Sequence, residues 1–174
     1  KVKQLLWLLM TLKLLENIKE LSHILIINIH FELMANIDIR KGYRIQDVRV
    51  IKANFKATPS PYVKTDMNLL LEWYNKNKAK LHPLVLATIF HHKFEKIHPF
   101  MDGNGRTGRM ILNCILLKNN YPPLIIHTKT RSEYLKILRI ADSSKPEEAK
   151  IGHYQELAVF SSDELTKTYW NIFL

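Results

Sequence analysis

A twelve-residue stretch near the middle of the chain contains most of the side chains that could do chemistry. It runs from His98 to Arg109 and reads His-Pro-Phe-Met-Asp-Gly-Asn-Gly-Arg-Thr-Gly-Arg. It offers an imidazole as a base, a carboxylate for a divalent cation, and two arginines three residues apart. The apolar run at 110–117 predicts a helix, so the turn leads into a helix N-terminus. Two cations, a carboxylate and the positive end of a helix dipole predict a site for a polyphosphate and Mg²⁺.

This stretch resembles the signature of the Fic (Fido-domain) family, His-x-Phe-x-Asp/Glu-Gly-Asn-Gly-Arg-x-x-Arg, and every defined position is filled. The resemblance covers roughly residues 28–142 and is strongest over residues 83–134. It implies a protein adenylyltransferase, a Mg²⁺-dependent enzyme that moves AMP from ATP to a Ser, Thr or Tyr hydroxyl of a target protein. The simpler interpretation of the same residues is a plain turn followed by a solvated helix face.

The resemblance also implies a role for individual residues. His98 would be the general base that takes the hydroxyl proton, and Asp102 would hold Mg²⁺. The glycines beside Asn104 would allow positive φ and let the turn cradle the phosphates, with the Asn104 side chain as an added donor. We predict that the nucleotide is bound by Asp102, Gly103, Asn104, Gly105, Arg106, Thr107, Gly108, Arg109, Asn113 and Tyr134.

A target-binding flap is expected before the signature. In the Fic family a β-hairpin covers the nucleotide and pairs with an extended piece of the target by strand addition. The resemblance places its tip at Lys52, Ala53, Asn54 and Phe55. Residues 45–50 alternate well enough to predict a short strand leading into it. The alternative is a plain surface loop.

The remaining pattern is helical. Apolar spacing and Pro, Gly and Asn breaks predict helices over residues 4–19, around 67–74, 83–97, after the signature turn, 131–142 and 154–173. Residues 21–34 could form a helix or a strand by their composition, and the family resemblance favours a helix. We therefore expect an all-α fold, a single Fic-type domain over residues 1–174 with a short β-hairpin flap. Its core would span about residues 28–142, with the N-terminal helix and the C-terminal helices packed on it.

Composition restricts the setting of this site. The 174 residues have a net charge of +10, but the lysines are scattered, which favours a solvated basic surface over a nucleic-acid patch. No apolar run approaches membrane-spanning length, and the charged, apolar start is better explained by a packed helix than by a signal peptide. We expect a cytoplasmic protein, with a secreted effector as the alternative. The chain does not begin with Met, which suggests a piece of a longer protein.

Several rival interpretations stay open. Removal of AMP from a modified protein could use the same base and metal, and a silent nucleic-acid- or partner-binding module would bind without turnover. A zinc site at His91, His92, Glu95 and His98 is disfavoured because it leaves the Gly-Asn-Gly-Arg turn unexplained. The target is an unknown protein, and an oligomer is compatible with the sequence. Family members can be inhibited by a glutamate from an upstream helix or a separate antitoxin, which would pair with Arg109.

Overall fold

A computed structural model describes residues 20–35, 37–50, 55–141 and 151–173 of the chain. All regular elements in these residues are helical, as the sequence predicts. The six α-helices are α1 (His23–Leu33), α2 (Val63–Asn77), α3 (Pro83–Ile97), α4 (Asn104–Lys118), α5 (Arg131–Ala141) and α6 (Gln155–Phe173). Short 3₁₀ turns precede α2 (Ser60–Tyr62) and α6 (Ile151–Tyr154). None of these helices is long and apolar enough to cross a membrane. The predicted helix over residues 4–19 lies outside the described part.

Helix α3 lies at the centre of the fold. Ten of its fifteen residues are buried, so nearly every face of the helix packs against protein. One face joins the larger hydrophobic cluster through Phe90 and Phe94. The opposite face contributes Ile89 to a second cluster that contains Tyr154 and Phe160. Helices α2, α4 and α6 all pack on α3, and α1 packs on α4.

The ends of α3 follow from local chemistry. Pro83 occupies the first turn, where its missing N–H costs no hydrogen bond, and His82 caps the helix by accepting from the Leu84 N–H. At the other end His98 adopts the left-handed conformation, and Pro99 follows it. Because a left-handed residue and a proline both stop helical propagation, α3 delivers the chain directly into the signature turn.

The C-terminal helix α6 holds the segment that follows α4. Thr168 Oγ1 accepts a hydrogen bond from the Ile125 N–H at 3.2 Å. The buried Glu164 carboxylate accepts from the Thr130 hydroxyl at 2.7 Å and from the His127 N–H at 3.3 Å. The segment after α4 is not helical, so its part-buried backbone N–H groups have no partners within a helix. The side chains of α6 supply these partners.

The predicted strand at residues 45–50 is wrong. These residues are irregular, and no strand is present among the residues that the structure describes. Hydrogen bonds here involve side chains instead of a neighbouring strand, since the Gln46 carbonyl accepts from the Arg44 guanidinium and the Asp47 carboxylate accepts from the Ser60 N–H. Alternating sequence does not form a sheet without a paired neighbour. The short β-hairpin flap is accordingly not seen in the described residues.

The expected flap tip falls almost wholly outside the described residues. Lys52, Ala53 and Asn54 lie there, so only Phe55 can be placed. Phe55 is half-buried and begins an irregular stretch that runs to Pro59.

Candidate active site

His98 is held in the form that a general base requires. Its left-handed backbone (φ 53°, ψ 60°) turns the side chain back, and Nδ1 lies 3.1 Å from the Glu95 carbonyl oxygen. A carbonyl can only accept, so Nδ1 carries the hydrogen and the neutral ring keeps its lone pair on Nε2. Burial lowers the pKa of His98, and the nearby Arg44 charge lowers it further, against the opposing effects of the Glu95 bond and the Asp102 charge. The imidazole is therefore neutral at pH 7.

The Asn104 amide closes the signature turn from inside. Its Oδ1 accepts from the Phe100 N–H at 2.9 Å, and its Nδ2 donates to the Phe100 carbonyl at 2.8 Å. The residue is only 2% exposed. Both polar atoms of this amide hold the loop, and the expectation that the side chain adds a donor to the phosphates stays a prediction. The amide ties the start of α4 to Phe100, two residues after His98.

Asp102 presents its carboxylate outward from the same turn. The side chain is 63% exposed, and Oδ2 lies 3.4 Å from an Arg106 amino group. Oδ1 accepts from the Gly103 N–H at 2.6 Å, while the backbone carbonyl of Asp102 accepts from His30 Nε2 at 2.9 Å. The backbone of Asp102 is thus anchored to α1, and its carboxylate is available to a cation from solvent.

Two glycines of the turn have different reasons to be glycine. Gly103 has φ +78°, and a Cβ there would lie 2.5 Å from Met34 Sδ, so both conformation and packing exclude a side chain. Gly105 does not have positive φ, so only one of the two glycines beside Asn104 uses the backbone freedom that the sequence allows. A Cβ at Gly105 would lie 3.2 Å from an Arg109 guanidinium nitrogen. Its role is to leave room for that guanidinium at the first turn of α4.

The N-terminus of α4 has features of an anion-binding site. The residue at its N-cap is Gly103, and no side-chain hydrogen bond caps the first turn. The positive end of the helix dipole faces the turn, and exposed N–H groups at such ends bind phosphate oxygens. Arg106, whose side chain is 39% exposed, and the half-buried Arg109 add two cations from the first turns of the same helix.

Comparison with known proteins identifies the family to which a chain with this arrangement belongs. The model of the Fic/DOC family matches residues 20–116, which is more than half of the chain. The chain belongs to the Fic/DOC family. The match ends within α4 and includes the whole signature.

Curated relatives of this Fic-family chain are protein adenylyltransferases. The chain is 31% identical to protein adenylyltransferase fic-1 of Caenorhabditis elegans over 151 residues, which are 80% of this chain and 30% of that protein. It is 34% identical to protein adenylyltransferase Fic of Drosophila melanogaster over 122 residues, or 67% and 24% of the two chains. The chain therefore spans about a quarter to a third of the curated relatives it matches.

Solved structures of the family have the same fold. A Fic-domain signaling protein of Bacteroides thetaiotaomicron superposes with a TM-score of 0.80 at 26% identity, covering 92% of this chain and 65% of that one. A Fic family protein of Desulfovibrio desulfuricans gives a TM-score of 0.74 at 27% identity, covering 99% and 55%. The Fic fold is thus shown for nearly the whole chain.

Three predicted nucleotide contacts of the Fic site lie inside the protein. Tyr134 is 6% exposed and its hydroxyl bonds to His91, so it belongs to the second hydrophobic cluster. Asn113 is fully buried, where its amide bonds to the Leu124 backbone and to the Arg109 carbonyl. Thr107 is also fully buried. Asn113 and Tyr134 bond to other protein groups in this structure, and the nucleotide contacts of all three residues stay predictions.

A buried polar cluster lies under Arg109, between α3 and α4. Gly108 allows the two helices to touch, since a Cβ there would lie 2.6 Å from Glu95 Oε1 and 2.7 Å from His91 Nδ1. Burial raises the pKa of Glu95 to about 7, against the attraction of Arg109. Burial lowers the pKa of His91 to about 3. His91 is therefore neutral, and it is not placed as a metal ligand: the described residues contain no cluster of three metal-binding side chains.

Sequence reasoning missed two residues that build the site. Arg44 contacts the backbone around His98 from a position just before residues 45–50, the predicted strand. His30 stacks on Phe100 with ring centroids 3.7 Å apart while it bonds to Asp102. The available signal for His30 was its spacing, since it follows Ile26 and Ile29 on the buried face of α1. No local signal marked Arg44, because its partners are far away in the sequence.

A cleft of about 1030 Å³ lies beside the site. Its walls are residues 47–50 and 55–59 on one side and helices α2 and α3 on the other. Trp73 and Ile97 make it apolar, and Lys93 and Lys96 add positive charge. Ile97, the residue before His98, is part of the lining of the cleft.

Proposed function

We propose that this protein transfers AMP from ATP to a Ser, Thr or Tyr hydroxyl of a target protein, with His98 as the general base. The observation that carries the proposal is the geometry of His98, whose Nδ1 lies 3.1 Å from the Glu95 carbonyl oxygen so that Nε2 is left as the acceptor, together with an α4 N-terminus that no side chain caps. The adenylyltransferase names of the relatives support the same reaction.

The reaction divides among the groups of this site. Nε2 of His98 takes the proton of the target hydroxyl as its oxygen bonds to the α-phosphorus. The bond between the α-phosphorus and the bridging oxygen breaks, and pyrophosphate leaves with the electron pair. Negative charge grows on the leaving phosphates, where the α4 N-terminus, Arg106 and Arg109 would stabilise it. No covalent intermediate with the enzyme is needed.

Asp102 fits a role in holding Mg²⁺. It is an exposed carboxylate at the phosphate end of the site, and hard cations prefer carboxylate oxygens. A single carboxylate suits Mg²⁺, which keeps several waters and also takes substrate phosphate oxygens. When bound, the ion would neutralise charge on the phosphates. In its absence the Arg106 guanidinium is the cation nearest to this carboxylate.

Target binding and control are proposed at the two edges of the site. An extended target segment would pair with the backbone around Lys52, Ala53, Asn54 and Phe55 and place its hydroxyl at His98. Control would act at Arg109, where a glutamate from an inhibitory helix or antitoxin would take the place of a phosphate. Either partner would bind without altering the buried parts of the turn.

Labelling with ATP tests the reaction. The protein is incubated with Mg²⁺ and a cell lysate, in parallel with α-labelled and γ-labelled ATP. We expect protein-bound label from the α position only, and no label with His98→Ala. Label from the γ position alone would indicate phosphate transfer. Loss of label from a pre-adenylylated protein would indicate hydrolysis. Binding of ATP without any turnover would indicate a silent module.

A further inference from the structure

Arg44 is a buried cation that contacts the backbone on both sides of the site. Its side chain has no exposed surface, and the nearest carboxylate is Asp47, at 3.8 Å, which is itself 74% exposed. A buried guanidinium is costly unless its N–H groups are bonded. Here the bonds go to backbone carbonyls, so the partners of Arg44 are parts of the chain that it holds in place.

Three carbonyls in succession at the end of α3 are bound by this one residue. Arg44 Nε donates to the His98 carbonyl at 2.8 Å, and Nη2 donates to the Ile97 carbonyl at 3.3 Å. The Arg44 backbone N–H donates to the Pro99 carbonyl at 2.9 Å. A cation at a helix C-terminus also meets the negative end of the helix dipole.

These contacts stabilise an unfavourable backbone conformation. His98 has φ 53°, a left-handed value that is unfavourable for a residue with a Cβ. That conformation allows Nδ1 to reach the Glu95 carbonyl and so sets the direction of Nε2. Because the carbonyl of His98 itself is bound by Arg44, the guanidinium acts directly on the orientation of the base.

The same guanidinium also bonds to the backbone on both sides of the expected flap tip, before it and after it. Nη1 donates to the Gln46 carbonyl at 2.9 Å, and Nη2 donates to the Thr58 carbonyl. Residues 47–50 and 55–59 between them form one wall of the cleft beside His98. One side chain therefore connects this wall to the backbone of the base.

We propose that Arg44 is a positioning residue that sets the orientation of the His98 imidazole and keeps the cleft wall, residues 47–50 and 55–59, in register with it. The proposal rests on the proposed function, in which His98 accepts a proton from a hydroxyl delivered by that wall. Arg44 itself does not touch the reacting groups. Its planar set of donors reaches carbonyls on both sides, which a lysine ammonium cannot reproduce.

Kinetics of two variants test the role. Arg44→Lys keeps the charge and Arg44→Gln removes it, while Arg139→Gln removes an exposed arginine on α5 as the matched control. We expect kcat for AMP transfer to fall about 10- to 100-fold in both Arg44 variants, the usual effect of misplacing a catalytic group by about 1 Å. The Kd for ATP, measured by calorimetry, should change less than about threefold. Arg139→Gln should match wild type in both measurements.

The pH profile separates positioning from a general loss of structure. Arg44 lowers the pKa of His98, so removing its charge raises that pKa. The acidic limb of kcat/KM should therefore move to higher pH in Arg44→Gln and stay in place in Arg44→Lys. Asp102 acts on His98 in the opposite direction and is unchanged in both variants.

Nuclear magnetic resonance of labelled histidine gives a readout that does not depend on activity. In wild type the His98 ring should show a proton on Nδ1 at neutral pH, and in both Arg44 variants this single tautomer should give way to a mixture. The same tautomer and titration in wild type and both folded variants would overturn the proposal. An altered ring together with absent AMP transfer in wild type would overturn the proposed function alone. If Arg44→Gln does not fold, kcat and the His98 tautomer measured in Arg44→Lys still test the proposal.

Discussion

The contact between α3 and α4 contains two polar regions that differ in how their groups are paired. In the signature turn, residues 98–104, both ends of the Asn104 amide are bonded to Phe100. The second region lies under Arg109 and consists of His91, Glu95 and Gly108; we call it the flank. Hydrogen bonding of its polar atoms is less complete. His91 Nδ1 and Glu95 Oε1 are 3.9 Å apart, and both are buried without a hydrogen-bond partner among the described residues.

The difference separates fixed geometry from sensitivity to pH. In the turn the buried bonds are complete, so its outward groups, the His98 imidazole and the Asp102 carboxylate, are placed for a ligand. In the flank the polar atoms without hydrogen-bond partners are buried, and each such atom lowers the free energy of unfolding by about 1–3 kcal/mol. We infer that variants of outward groups in the turn lose activity, and that variants in the flank change stability in a pH-dependent manner.

The largest effect is expected for an outward group of the turn. His98→Ala should lower AMP transfer by about 10²- to 10⁴-fold, because the target hydroxyl loses its base. The Kd for ATP should stay near the wild-type value, since the α4 N-terminus and both arginines remain. Rates come from label transfer and affinities from calorimetry. Near-wild-type transfer by a folded His98→Ala protein would show that another group accepts the proton.

An inward group of the turn should instead determine stability. Asn104→Ala leaves the buried N–H and carbonyl of Phe100 without partners, so we expect a loss of about 2–4 kcal/mol in the free energy of unfolding. Asn119→Ala is the matched control at the other end of α4, where a half-buried amide donates to a single carbonyl. It should cost less than about 1 kcal/mol. If urea unfolding gave the same loss of free energy for Asn104→Ala and Asn119→Ala, the expected difference between the two amides would be wrong.

The flank should respond to pH. The pKa of Glu95 is raised to about 7 in the folded protein, above its ordinary value of 4.5. Its protonated form therefore favours folding fully below about pH 4.5, and this contribution is lost as pH rises through about 7. Glu95→Gln, which stays neutral, should stabilise the protein relative to wild type by up to about 3 kcal/mol at pH 8 and hardly at pH 4.

Unfolding by urea at several pH values measures this difference. Glu156→Gln on α6 is the control, because Glu156 is exposed. Its effect on the free energy of unfolding should be small at every pH. A stability difference between Glu95→Gln and wild type that does not change from pH 4 to pH 8 would mean that the flank carboxyl is not held neutral by burial.

The smallest stability effect belongs to the exposed ion pair of the turn. Asp102→Asn weakens a contact of 3.4 Å between two solvent-exposed side chains, so the free energy of unfolding should change by less than about 1 kcal/mol. The same variant should lower turnover and flatten its dependence on Mg²⁺ concentration. Thermal unfolding and a Mg²⁺ titration of label transfer measure the two effects. A large loss of stability together with an unchanged Mg²⁺ titration would mean that Asp102 has a structural role, like the inward groups of the turn.

Local pattern was enough for the helices and for the site's outward chemistry. The 3.6-residue spacing of apolar side chains, Pro83 at a helix start and the Gly-Asn-Gly turn are local features, and local features determine where helices begin and end. They predicted α2 to α6 in the described residues and the turn into α4, while for α1 the family resemblance decided between helix and strand. His98, Asp102, Arg106 and Arg109 gather in one place because they lie within twelve residues of each other on a turn and a helix.

Only the tertiary structure decided which polar groups face inward. Asn104, Asn113 and Tyr134 have the same chemistry as ligand-binding residues, yet each bonds to a group in the core. Burial and partners depend on which elements pack together, and sequence spacing does not contain that information. The same reason explains the missing strand at residues 45–50, since a strand requires a partner supplied by another segment. Arg44, 54 residues before His98, acts on it only because folding places its guanidinium at the end of α3.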